Sequence, residues 1–158
     1  MNILAIDPGT HCGYAKSPIE SGTWDLRVKR NEGGGMRYFR LRNYLITACV
    51  GIDLVVYEEV MRHMGTDAAH IYGGIVAIIQ EHCEMHNIQY AGIPVGTIKK
   101  FASGKGNANK EAMIAAAQTR WPEIEIKDDN QADALWLLAV AQEEYNSDTS
   151  PTAKGGER

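Results

Sequence analysis

Two short apolar runs, each closed by a carboxylate, constrain this chain more than any other feature. Residues 2–7 read Asn-Ile-Leu-Ala-Ile-Asp and residues 53–58 read Asp-Leu-Val-Val-Tyr-Glu. Both are continuous rather than alternating in hydropathy, the pattern of strands buried on both faces. A helical stretch from about Met36 to Val50 lies between them. With a helical crossover the two strands are expected to lie parallel. Ligands of open α/β sheets gather at the C-terminal ends of the strands, and Asp7 and Glu58 occupy those ends. On neighbouring strands the two carboxylates repel unless a proton or a cation separates them. Hard oxygen donors favour magnesium, with manganese as a substitute. The plain alternative is that strand-end acids face solvent. It suits one such acid better than two at matched positions.

The rest of the chain supplies the elements of an α/β domain with a mixed sheet. Residues 8–13 read as a turn, and residues 13–17 and 22–28 as two strands with Ser21-Gly22 as the hairpin turn. A long helix is expected from Thr66 or Asp67, either of which suits an N-cap, to about His86. Gly73-Gly74 within it would let another backbone approach. Residues 88–93 form a short strand, and Pro94 opens a helix to about Ala102. The segment Gly104–Asn109 is a loop before a helix from Lys110 to Arg120, which Trp121-Pro122 stops. A last helix covers about Asn130 to Tyr145. Residues 1–145 make the domain. Residues 146–158, polar and rich in Gly, Pro and Ser, are expected to be a disordered tail.

A third acidic group sits in Asp128-Asp129-Asn130-Gln131-Ala132-Asp133. Asp129 and Asp133 are four residues apart and share one helix face. Asp133 adjoins the apolar pair Ala134-Leu135, which puts it near the sheet. Asp128 reads better as an N-cap, favoured by the helix dipole. Carboxylates from two strands and one helix suit two divalent ions about 4 Å apart, the arrangement that activates water and stabilises the leaving oxygen in phosphodiester cleavage.

Composition adds boundaries. The 158 residues are 44% hydrophobic and 23% charged, ordinary for one globular domain. No apolar run nears the roughly 18 residues of a membrane span, and no secretion signal opens the chain. Cys12, Cys49 and Cys83 share no metal or redox spacing, so free thiols in a reducing cytoplasm are expected. The net charge of −4 argues against a nucleic-acid partner only on average. Arg27, Lys29, Arg30, Arg37, Arg40 and Arg42 surround the single acid Glu32. Lys99, Lys100, Lys105 and Lys110 have no acid among them. Local patches decide attraction to phosphate, although such runs are also found as plain solvated faces.

Four signatures then fall in order over residues 1–143: Ile6-Asp7-Pro8-Gly9-Thr10 with Gly13, Val56-Tyr57-Glu58-Glu59-Val60, Ile98-Lys99 with Gly104–Lys110, and Ala132-Asp133-Ala134-Leu135. Together they resemble the RuvC family of Holliday-junction resolvases. The resemblance implies a ribonuclease-H-like fold, with a mixed five-stranded sheet flanked by helices. It also implies a homodimer and magnesium-dependent, paired nicking of four-way and other branched DNA. It carries metal ligation to Asp7, Glu58 and Asp133. The family's second helix acid falls at Asn130 here, with Asp129 beside it. Asp129 is preferred as the fourth catalytic and metal-binding residue, since a carboxylate holds a dication better than an amide, and Asn130 is the alternative. The family's aromatic wedge falls at Met61, an apolar but weaker stacking residue. These departures suggest a phage-type member, acting in the cytoplasm of a bacterial cell or infected host. Lys99 and Lys105 are the leading phosphate contacts, Lys110 a third, and Arg37 and Arg40 extend the track.

Two rival functions share part of this pattern. Hydrophobic-Asp-x-Gly-Thr also opens actin-like ATPases, which need two lobes and do not account for Glu58 with Asp133. A non-catalytic module for branched DNA would not need the carboxylates. His82 and His86 are spaced to chelate a metal, but surface or interface histidines are the commoner case. His63 and His70 suit loop or cap roles, with His70 also within reach of phosphate. The helix from 67 to 86 carries two apolar stripes, Ile71, Ile75, Ile78 and Ile79, then Tyr72, Val76 and Cys83. One can cover the sheet. The second is expected to form the homodimer contact, unless it is buried under the Lys110–Arg120 helix.

Overall fold

The computed structural model describes residues 1–63 and 65–147. Ten elements follow the expected order: β1 (Ile3–Asp7), β2 (His11–Ala15), β3 (Ser21–Asp25), α1 (Met36–Ala48), β4 (Leu54–Glu59), α2 (Thr66–His86), β5 (Gln89–Pro94), α3 (Val95–Ser103), α4 (Lys110–Arg120) and α5 (Asp129–Ser147). The five strands form one sheet in the order β3-β2-β1-β4-β5. β1 runs parallel to β4 and antiparallel to β2, and β4 runs parallel to β5. The crossover reading of the two apolar runs therefore holds. The fold is α/β with a mixed five-stranded sheet.

Side chains alternate across this sheet and separate two cores. Ile3, Ala5, Leu54, Val56 and Ile93 face one side, where Ile98, Met113 and most of α5 pack on them. Leu4, Ile6, Val55 and Tyr57 face the other, under Leu41 and Leu45 of α1 and Ile75, Ile79 and Cys83 of α2. Continuous apolar strands are what two covered faces require. On the α1–α2 side Trp24 lies between Tyr14 and Tyr44, with ring centroids 4.6 and 5.0 Å away.

Several local expectations move. β2 begins at His11 rather than Gly13, because antiparallel pairing with β1 resumes directly after the turn, with Asp7 opposite Gly13. The N-cap of α2 is Gly65, without a side-chain cap bond, and not Thr66 or Asp67. The space above Gly74 is filled by the Tyr38 side chain of α1, not by a backbone; a Cβ there would meet its hydroxyl at 2.3 Å. Cys83 of the second stripe is buried, and Tyr72 and Val76 are half-buried against the same core. α4 lies across the sheet from α2, so it covers neither stripe. The large apolar side chains left exposed in this layer are Phe39 and Ile46 of α1, Val50 in the turn after it, and Met85 of α2. α5 extends to Ser147, two residues past the expected boundary. The remainder of the expected tail, residues 148–158, lies outside the described residues.

Gly13 sets the height of α5 above the sheet. A Cβ on it would stand 2.1 Å from the Asn130 carbonyl oxygen. Gly13→Ala must lift the helix start, and overpacking of this kind costs roughly 1–3 kcal/mol, several degrees of melting temperature. Gly73→Ala, where nothing lies within 4 Å, is the control and should stabilise by about 0.5–1 kcal/mol. Thermal unfolding of the two variants showing equal shifts would overturn this account of Gly13.

Candidate active site

β1 and β4 each deliver one carboxylate to the same edge. Ile6 is paired with Tyr57 across the parallel strands, so Asp7 and Glu58 follow at the next position along. Alternation turns both toward the α5 side, because Ala5 and Val56 belong to that core. α5 starts at this edge, where Asn130 rests on Gly13. Asp133, one turn further, therefore faces the two strand-end acids.

Their electrostatics record the convergence. Burial raises the Asp7 carboxyl well above the usual range, and Glu58, Asp133 and Asp129 add to this against Lys110. Glu58 is pushed up to about 7, by burial and then by Asp133, with Lys99 opposing. Asp133 is pushed up to about 6, by burial and then by Asp129, with Lys99 and Lys110 opposing. Glu58, Asp133, Lys99 and Lys110 line a hollow of about 140 Å³ closed below by Ile98 and Met113. The larger cavity, about 640 Å³, lies beside β3 and α1 and holds none of these acids. We take the small hollow as the centre, because perturbed carboxylates and facing cations meet there.

The start of α5 divides its polar residues between two tasks. Asp128 is the cap: its Oδ1 accepts from the Gln131 N–H at 2.8 Å and from the Thr23 hydroxyl at 2.8 Å. Asp129 forms an ion pair with Lys110, the first residue of α4, and this holds its carboxyl below the usual range. Asp129 still acts on Asp7 and Asp133 through its charge. What Asn130 brings to the sheet is its backbone, against Gly13.

The far side of β4 is clamped by a residue whose role was not apparent in the sequence. The Tyr72 hydroxyl donates to the Glu58 carbonyl at 3.0 Å and accepts from the Val60 N–H at 3.0 Å. It fixes the backbone on either side of Glu59 and thus the direction of the Glu58 side chain. Tyr72 was counted only as part of an apolar stripe. A tyrosine among isoleucines carries a hydroxyl that needs a partner, and that was the available signal. His63 packs on its ring, with centroids 4.6 Å apart, and its buried Nε2 has no hydrogen-bond partner among the described residues.

The candidate DNA contacts are spread more widely. Lys99 and Lys110 stand at the hollow, and Lys105 is exposed on the α3–α4 loop. Met61, just past β4, is 81% exposed. Arg37 and Arg40 lie on α1, in the opposite layer. The Arg40 guanidinium binds the Arg27 carbonyl at 2.8 Å and Glu32 at 2.5 Å. One nitrogen of Arg37 is buried without a hydrogen-bond partner among the described residues. His82 is buried against His86 rather than on the surface, its imidazole pushed down by burial and then by His86 and Arg42.

Among the described residues no three His, Cys, Asp or Glu side chains stand ready-made as a metal site. The like charges repel one another, and Lys110 engages Asp129 in an ion pair. The donor set nevertheless fits a hard dication: buried carboxylate oxygens from β1, β4 and α5 reach one edge, and their shared repulsion is what a cation relieves.

No protein-family model and no curated protein sequence matches the chain. Solved structures of Thermus thermophilus RuvC do match. One aligns at a TM-score of 0.73 and 18% identity, covering 93% of this chain and 96% of that one. Another, of T. thermophilus RuvC in complex with Holliday junction substrate, aligns at a TM-score of 0.72 and 19% identity, covering 91% and 93%. The fold is therefore RuvC-like, within the ribonuclease-H-like class.

The raised carboxyls make stability depend on pH in a definite sense. Asp7, Glu58 and Asp133 hold protons more tightly folded than unfolded. The contribution of Glu58 and Asp133 is complete below the ordinary carboxylate range and is lost as pH rises through about 6 to 7, and that of Asp7 has the same sign. Metal-free protein should lose on the order of 1–3 kcal/mol between about pH 5 and pH 8. Glu58→Gln should flatten that loss, and millimolar magnesium should restore stability at the upper pH. Melting curves that do not change with pH or with magnesium would show that the cluster is not as drawn.

Proposed function

We propose that the chain is a structure-specific endodeoxyribonuclease that resolves Holliday junctions and other branched DNA by metal-dependent, paired nicking. The observation that carries this is the meeting of Asp7, Glu58 and Asp133 at one edge of a RuvC-like sheet, beside Lys99 and Lys110. The solved RuvC–junction complex supports branched DNA as the substrate class.

In this proposal Asp7, Glu58, Asp133 and Asp129 hold two magnesium ions, with manganese as a substitute. When bound, such a metal pair activates a water and stabilises the leaving oxygen. The protein's own groups do the rest. Burial by Ile98 and Met113 keeps bulk water from the back of the site. Lys99 and Lys110 meet the phosphate, and Lys105 meets the flanking backbone. Lys110 is paired with Asp129, so its transfer to phosphate frees Asp129 for metal. Met61 is the apolar residue available at the branch point. A second copy of the chain supplies the symmetry-related nick. Phe39 and Ile46 of α1, Val50 just after it, and Met85 of α2, with the half-buried Tyr72 and Val76, are the surface for that contact.

Asp7→Asn removes a metal ligand and leaves the cations in place. It should abolish cleavage of a synthetic four-way junction in magnesium, by at least about a thousandfold, with binding retained in gel shifts. Paired nicks by the wild type are expected at symmetric positions. Binding without any wild-type cleavage would instead favour a non-catalytic junction-binding module, and normal cleavage by Asp7→Asn would refute the site.

The fourth ligand is tested by comparing neighbours. Asp129→Asn should lose more activity than Asn130→Ala, and raising the magnesium concentration should partly rescue it. A larger loss in Asn130→Ala, in protein with unchanged melting temperature, would make the amide the ligand.

A further inference from the structure

The cavity of about 640 Å³ beside β3 is not used by the proposed chemistry, yet it opens on the same sheet edge. β3 is antiparallel to β2 and so runs parallel to β1. The segment after it is stitched to the turn after Asp7, by the Leu26 N–H on the Thr10 carbonyl at 2.8 Å. Arg27, Lys29 and Arg40 line the cavity, with Asp25 as its one acid.

Its walls are built rather than incidental. Tyr44 is fixed by stacking on Trp24, with centroids 5.0 Å apart and planes 3° from parallel. Arg40 ties the Arg27 carbonyl to Glu32, and the Lys29 N–H bonds the same carboxylate at 2.8 Å. The backbone that presents Arg27 and Lys29 is thereby held in place. Arg27 is paired with Asp25 at 2.7 Å and remains 65% exposed. Among the described residues the Lys29 ammonium enters no ion pair. A preformed concave surface lined by three cations against one acid, with Val28 and the face of Tyr44 as its apolar part, suits a phosphodiester backbone better than an uncharged ligand.

We propose that this cavity is a second phosphate-binding site, which grips the backbone of the substrate strand a few nucleotides from the cleaved bond. It rests on the nuclease reading and extends it to the path of the DNA. Two strand spacings, roughly 10 Å, separate β3 from β1. At 3.4 Å per base step the contacted phosphates lie about three nucleotides from the scissile one. Arg27 and Lys29 make these contacts, and Arg40 holds the loop that carries them.

The test is binding to a four-way junction in EDTA, where no cleavage occurs. Arg27→Ala with Lys29→Ala should lower the log–log salt slope by about 2, near one unit per phosphate contact. Lys16→Ala, which removes one positive charge at the opposite sheet edge, should leave the slope unchanged. Junctions with single uncharged methylphosphonate linkages should then locate the contact. At about three nucleotides from the cut, the paired variant and the neutral linkage should be less than additive, and elsewhere additive. An unchanged slope, or additivity at every linkage, overturns the second site. If Lys99→Ala with Lys105→Ala lowers the slope in that same series, the DNA path of the proposed function stands without the second site. Wild-type protein with no junction preference would remove both.

Discussion

The backbone of α5 rests on Gly13, and the arrangement of the carboxylates depends on that contact. β1 and β4 alone bring Asp7 and Glu58 to one edge, because parallel register leaves no other place for them. Asp133 comes from a helix more than seventy residues further along, and only its close approach makes a cluster. A Cβ at residue 13 would fall within 2.1 Å of the Asn130 carbonyl oxygen. One missing methyl group thus sets the distance between like charges that the fold would otherwise keep apart.

That cluster is held against its own repulsion by everything around it. Burial and mutual charge raise Asp7, Glu58 and Asp133 together, a cost the core has to offset. The topology supplies partial relief. α3 and α4 begin at the hollow with Val95 and Lys110, and α5 begins on Gly13 at the same edge, so positive ends of helix dipoles face the acids. Lys99 and Lys110 add whole charges. Under the proposed function a bound cation would relieve this cost, a common bargain between stability and function.

Much of this was legible in the chain. The continuous runs at 2–7 and 53–58 fix two strands, their burial and their direction, and the carboxylate at each end marks the site. Asp133 is legible through its apolar neighbours Ala134 and Leu135, and Asp128 through its capping position. Other features need three dimensions. That Gly13 must be glycine depends on a helix start more than a hundred residues away. The Lys110–Asp129 ion pair joins two helices whose approach no local pattern reports. The apolar stripes on α2 were read correctly as apolar, but periodicity does not say that α1 covers part of them, or that Tyr72 spends its hydroxyl on the end of β4.

Tyr72 also explains how a rigid site can sit beside an exposed apolar residue. The chain leaves β4 through Glu58, Glu59 and Val60, and the single hydroxyl bonds the backbone on both sides of Glu59. His63 packs on the ring that carries it. Between these two anchored points stands Met61, 81% exposed, an apolar side chain that gains nothing from water. A flexible loop would fold such a residue back onto the core. Here the Tyr72 bonds hold the backbone just before Met61, which is exposed. The interaction that aims the Glu58 carboxylate inward is therefore also the one that holds an apolar tip toward whatever approaches the edge.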